Sequence, residues 1–110
     1  MFTRVVETTS KHGRARELCY TIDEKVLPIL KKQTGFVDEL VMLSNTDPNK
    51  VIAISFWKTK EDAQRYEREH FDNVKRTIQQ LFEAAPVVRT FDVHSSTAHR
   101  VTAENAEQVA

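Results

Sequence analysis

Val51-Ile52-Ala53-Ile54-Ser55-Phe56-Trp57 decides the fold. Its β-branched and aromatic content and its length read as a strand. Val51, Ala53 and Ser55 alternate with Ile52, Ile54 and Phe56, so apolar side chains stand on both faces. A strand of that kind needs cover on both sides. One layer of helices covers only one. In a chain of 110 residues the other cover is most simply a second copy.

Working outward, Asn45-Thr46-Asp47-Pro48-Asn49-Lys50 is dense in turn formers, which makes Phe36 to Ser44 the hairpin partner. Before it, Ala15, Leu18, Cys19, Ile22, Val26, Ile29 and Leu30 recur at three- and four-residue steps, the stripe of an amphipathic helix. Pro28 lacks an amide proton and crowds the carbonyl of Glu24, so a kink or fresh start is expected there. Gly35 suits the end of that helix. Phe2 to Thr9 alternates as a first strand, with apolar and polar residues mixed on both sides.

After Trp57, Thr59 begins a helix, with Asp62 close to a capping box. Ala63 and Tyr66 point inward, and a second helical stretch with Phe71, Val74, Ile78, Leu81 and Phe82 begins near His70. Val87 to His94 is the last strand. The order strand, helix, strand, strand, helix, strand is the ferredoxin-like βαββαβ arrangement, an α+β fold with one four-stranded antiparallel sheet. The expected domain runs over residues 1–94. A polar tail, 95–110, is expected to be mobile or packed on a partner.

Composition excludes several classes. Sixteen Lys and Arg balance sixteen Asp and Glu, so no net charge attracts nucleic acid or an anionic membrane. No apolar run approaches the roughly 18 residues of a membrane span, and the N-terminus lacks the pattern of a signal peptide. Cys19 is the single cysteine, which forbids an intrachain disulfide and suits a reducing, cytoplasmic setting. Only Gly13 and Gly35 are glycines, so neither a dinucleotide fingerprint nor a Walker A loop is present. His12, His70, His94 and His99 have no metal-ligand spacing, and no metal site is expected.

Among residues that bear chemistry, Trp57, Tyr66 and His70 form a set. Trp57 ends a strand, Tyr66 lies on the following helix, and His70 is one turn further on the same face. Aromatic bodies with polar tips at the rim of a sheet–helix sandwich could line a small-molecule cleft. They could equally fill the core edge and join two helices. Arg4 and Arg89 are charges within strands. Pairing across a dimer, snorkelling outward and binding an anionic substrate all remain open for them. Cys19 lies on a helix stripe and reads as a small core residue.

Three stretches also resemble the antibiotic biosynthesis monooxygenase (ABM) domain family: Gly35-Phe36-Val37-Asp38-Glu39-Leu40, the run Ser55-Phe56-Trp57-Lys58-Thr59-Lys60-Glu61-Asp62-Ala63, and Glu69-His70-Phe71. The resemblance spans residues 1 to about 94. It implies a dimeric α+β barrel of two protomers packed sheet to sheet. It also implies a cofactor-independent monooxygenase that oxidises a small aromatic phenol or quinol with molecular oxygen. His70 would then be the catalytic base, and Trp57, Tyr66 and Arg89 would contact the substrate. The haem-degrading branch of the family is not matched: Glu7, Tyr66 and Lys75 stand where that branch has other residue types. No cofactor is therefore expected. The expectation from another class is a non-catalytic homodimer of the same fold, binding a small molecule or serving a structural role.

Overall fold

The computed structural model describes residues 1–101. Four antiparallel strands, β1 (Phe2–Thr9), β2 (Phe36–Leu43), β3 (Lys50–Trp57) and β4 (Val87–Asp92), form one sheet in the order β2-β3-β1-β4. This is the α+β, ferredoxin-like arrangement. Residues opposite one another in an antiparallel pair share a face, so the register sorts every side chain. Phe2 faces Trp57, Arg4 faces Ser55 and Val6 faces Ala53 on the side covered by helices. Thr3, Val5 and Glu7 stand against Phe56, Ile54 and Ile52 on the open side.

Two helical layers cover one face. The first runs through α1 (Ala15–Thr21), a π-helical turn (Ile22–Val26) and α2 (Leu27–Lys31). Pro28 accounts for the wide turn: it cannot donate to Glu24 and its ring crowds that carbonyl, so the chain loosens before it instead of breaking. The second runs through α3 (Lys60–Tyr66), a π-helical turn (Glu67–Phe71), α4 (Asp72–Ile78) and a final 3₁₀ turn. The sequence suggests two separate stretches meeting near His70. The structure corrects this: the path is continuous, and His70 sits within its wide turn. Leu18, Ile22, Val26 and Leu30 from the first layer meet Ala63, Tyr66, Val74 and Ile78 from the second over Phe2, Val51 and Trp57.

Two local devices set the start of the second layer. Thr59 accepts a hydrogen bond from the Asp62 amide, capping α3. Gly35, at φ 83°, precedes β2, and a Cβ there would run into the Asp62 side chain. Glycine is required on both counts. Val37 is left over in a bulge between Phe36 and Asp38, so Phe36, Glu39 and Val41 share the covered face.

The open face carries exposed apolar side chains on both of its edge strands. Leu40, Met42, Val87 and Phe91 are exposed on it. Glu7 is held there between Lys50 Nζ at 2.8 Å and Arg89 Nη1 at 3.1 Å. Residues 95–101 return to the chain's own sheet. The His99 ring packs on Phe56 with centroids 4.7 Å apart, and its Nε2 lies 3.3 Å from Asp38 Oδ2. Residues 102–110, the rest of the expected tail, lie outside the described residues. Among those described, no helix is long and apolar enough to cross a membrane.

Candidate functional site

A cavity of about 50 Å³ lies between the covered face of the sheet and both helical layers. Most of its wall is aliphatic, as the stripes that meet there require. Besides the hydroxyls of Thr8 and Ser55, three ionisable side chains break that wall: Arg4 from β1, Glu39 from β2 and Tyr66 at the end of α3. The register explains how the strands bring two of them together. Glu39 stands opposite Ser55, and Ser55 stands opposite Arg4, so carboxyl, hydroxyl and guanidinium form one row across three strands.

Arg4 is the most unusual member. The residue is only 2% exposed. Its guanidinium lies over Phe71 at 4.4 Å and near the Tyr66 ring at 5.3 Å, a cation–π arrangement. The nearest carboxylate, Glu67 Oε1, is 3.9 Å from Nη2, too far for a hydrogen bond. Among the described residues, neither Nε nor Nη2 has a hydrogen-bond partner. Burial lowers the pKa of Arg4, against the pull of Tyr66 and Glu67; an arginine stays charged regardless.

Glu39 is pushed up to about 7, first by burial and then by the nearby carboxylates of Asp23 and Asp38. It can therefore hold or release a proton near neutral pH. Tyr66 is pushed up to about 12, mainly by burial, so its phenol remains protonated. The Trp57 indole stacks on Tyr66 at 5.2 Å and donates from Nε1 to Ser55 Oγ at 2.9 Å. It is fully buried and forms a fixed backing for the tyrosine ring.

The sequence-derived set divides in the structure. Trp57, Tyr66 and His70 come together as a stack, with Trp57 5.2 Å and His70 6.3 Å from the Tyr66 ring. Tyr66 reaches the cavity, whereas His70 is not in its wall and leaves its side chain 39% exposed beside Glu69. Arg89 stands opposite Val5 on the open face, bound to Glu7, with the sheet between it and the cavity. Within one chain it does not join the other three. The reason is parity: β4 places Arg89 out of step with Val88 and Thr90, which share the covered face with Val6 and Arg4.

Sequence pattern alone leaves three readings open for Arg4 and does not single out Glu39. The signal is a charge set among apolar residues on one strand face: Arg4 between Phe2 and Val6, Glu39 beside Val41. It becomes decisive only when both faces prove to be the same one. Cys19 is half-buried against the core, and burial raises its thiol pKa.

The family model for antibiotic biosynthesis monooxygenase matches residues 1–80. No curated protein matches the chain. Among solved structures, the monooxygenase of ActVA-Orf6 from Streptomyces coelicolor, in complex with the ligand nanaomycin D, superposes with a TM-score of 0.76 at 13% identity, covering 86% of this chain and 88% of that one. SnoaB, a cofactor-independent oxygenase from Streptomyces nogalater, gives 0.72 at 18% identity, over 87% and 95% of the two chains. A protein of unknown function from Nitrosomonas europaea gives 0.73 at 11% identity, over 87% and 91%. At these identities the likeness is one of fold.

Proposed function

The chain belongs to the antibiotic biosynthesis monooxygenase family, and from that premise we propose that it is a cofactor-independent monooxygenase. Its substrate is a small aromatic phenol or quinol, oxidised by molecular oxygen within a homodimer. The observation that carries the reading is the cavity itself: an aliphatic chamber behind the sheet, broken by one carboxyl near neutrality, one buried guanidinium and one phenol. Further support comes from two fold neighbours, SnoaB, a cofactor-independent oxygenase, and the ActVA-Orf6 monooxygenase, which holds the ligand nanaomycin D.

The chemistry needs little from the protein. A phenolate is electron-rich enough to reduce oxygen itself. One oxygen atom enters the ring as the new quinone oxygen, the other leaves as water, and the substrate supplies all four electrons. The protein removes the phenolic proton, holds the ring and stabilises the oxyanion. Glu39 is the better-placed proton acceptor because it lines the cavity; His70, the base expected from sequence, lies behind Tyr66. Tyr66, backed by Trp57, orients the ring.

The homodimer is supported by the uncovered apolar side chains of Leu40, Met42, Val87 and Phe91 on one face of the sheet. In that assembly Arg89 and Glu7 would belong to the interface, not to the cavity wall.

One observation favours the second reading, a non-catalytic binding protein. A cavity of about 50 Å³ holds a few waters, and a ring enters only if the helical layers yield. Both π-helical turns lie in its walls, through Ile22, Val26 and Phe71, and such wide turns are frequent at functional sites. Oxygen uptake with naphthols, anthrones and quinols separates the readings. Uptake with quinone formation and one labelled oxygen incorporated from ¹⁸O₂ is the expected result. No uptake with any of the three classes overturns the oxygenase and leaves the binding protein.

A further inference from the structure

We infer that Arg4 is a bidentate anchor for a pair of adjacent acceptor oxygens on the ligand, foremost the carboxylate of an aromatic acid. The inference rests on the cavity being the ligand site, as proposed above, but not on the reaction carried out there.

The argument starts from what a buried arginine requires. A guanidinium carries five N–H donors in a rigid plane, and a buried donor without an acceptor is costly. The Phe71 and Tyr66 rings lie against the guanidinium at 4.4 and 5.3 Å, with their centroids 6.4 Å from one another, so both pack around one part of it. What remains free is an edge. The two unpartnered atoms, Nε and Nη2, are those whose N–H bonds run parallel along one side of the guanidinium. That side grips two oxygens at once, the geometry of arginine–carboxylate forks. A lone phenolate oxygen could satisfy only one of the two donors well.

Other groups around the cavity do not fill both positions: the Tyr66 hydroxyl lies close enough to Arg4 to favour its charge, yet gives neither Nε nor Nη2 a hydrogen-bond partner. Glu67 is half exposed and stands 3.9 Å away. Glu39 lies two strands over, beyond Ser55, and makes no ion pair with Arg4 among the described residues. Ser55 Oγ already accepts from Trp57. The cavity room of about 50 Å³ suffices for a carboxylate head, and the attached ring is admitted as the helical layers yield. Two sources of the oxygen pair share this chemistry, a carboxylate and the vicinal oxygens of a catechol.

Trp57, the only tryptophan, stacks on Tyr66 at the cavity wall and reports binding by its fluorescence. The probes are salicylate, its methyl ester and catechol. Wild-type protein is expected to bind salicylate at least tenfold more tightly than methyl salicylate, whose ester cannot present an anionic pair. Arg4→Lys, which keeps the charge but loses the fork, should lower salicylate affinity at least tenfold. Tighter, Arg4-dependent binding of catechol would support the same anchor and identify the diol as its source. Equal binding of acid and ester with no tighter, Arg4-dependent binding of catechol, or no binding of any probe at millimolar concentration, overturns the inference; trapped water would then serve the two donors. The ester comparison uses wild-type protein, so the test holds even if Arg4→Lys fails to fold. Salicylate bound through Arg4 with no oxygen uptake by any substrate would sink the oxygenase and leave the anchor standing.

Discussion

The two faces of the one sheet solve opposite problems. On the open face, apolar side chains lie exposed while the central charge is fully matched: Glu7 has both Lys50 and Arg89 within hydrogen-bond distance. On the covered face, apolar side chains are buried while the charges are unmatched, with Arg4 lacking partners on two nitrogens and Glu39 among carboxylates. A fold selected for stability alone would reverse this, leaving charges outside and apolar residues within. On the proposed function, the open face is the surface that a second copy completes. The covered face reads as one completed by a ligand, since strain of this kind concentrates at working sites.

The largest effect that could break this contrast is on turnover. If Glu39 is the proton acceptor, Glu39→Gln should lower kcat by roughly 10²–10⁴-fold, the usual worth of a general base. His70→Ala, behind the tyrosine, should change kcat less than tenfold. The reverse result, measured by oxygen uptake, would return the base to His70 and strip the cavity of its chemical role.

The open face predicts a change in assembly. Leu40→Asp with Phe91→Asp places two carboxylates where the second copy would bury them, and unpaired buried charge is costly. Dimer dissociation should strengthen by roughly a hundredfold or more, seen in sedimentation, with strand content unchanged by circular dichroism. A wild-type chain that sediments at 12.7 kDa at micromolar concentration would remove the dimer outright.

Arg4 predicts the opposite of a usual core substitution. Replacing a poorly matched buried charge by an apolar chain of similar length is commonly neutral or stabilising. Arg4→Met should raise stability by about 2 kcal/mol in urea unfolding at fixed protein concentration, while salicylate binding is lost. A loss of stability instead would make the guanidinium a structural group, held by Phe71 and Tyr66 for the core's sake.

Most of the fold was legible because its signals are local. The turn 45–50, the cap at Thr59 and the period-two run at 51–57 each act over a few residues, and the strands fall within a residue or two of where those signals place them. Pro28 announced a disturbance, though not its form, because whether a helix breaks or widens depends on what packs against it. The site was legible only in part. Trp57, Tyr66 and His70 share a local geometry, and the structure stacks them. The row Glu39, Ser55, Arg4 depends on the pairing of three strands distant in sequence, and on the one-residue bulge at Val37 that sets which side chains of β2 face the helices. Arg89 shows the same dependence in reverse: as a strand arginine it was a candidate, and a one-residue difference in parity puts it on the other face.

The smallest predicted effect is also the most direct probe of the covered face. Burial, with Asp23 and Asp38 nearby, raises the folded pKa of Glu39 from its ordinary 4.5 to about 7. Below about pH 4.5 the carboxyl is protonated in folded and unfolded chains alike, and the side chain costs nothing extra. Between 4.5 and 7 the unfolded chain gives up the proton first, so this residue's contribution to stability falls as pH rises. Above 7 the folded chain must ionise it too, and the loss levels off. Since the side chain is partly exposed, solvent screening limits the total to about 1 kcal/mol. Glu39→Gln removes the titration. Compared with wild type, the variant should be about equally stable at pH 4.5 and about 1 kcal/mol more stable at pH 8. On the open face Glu7 has the inverse sign, because Lys50 and then Arg89 hold its pKa below the ordinary value. Its stabilising contribution is present above that ordinary value and is lost as pH falls through the depressed one, so Glu7→Gln should leave the difference between pH 6 and pH 8 untouched. If Glu39→Gln instead gains nothing at pH 8, the carboxyl is solvated, and the two faces do not differ in how they hold their acids.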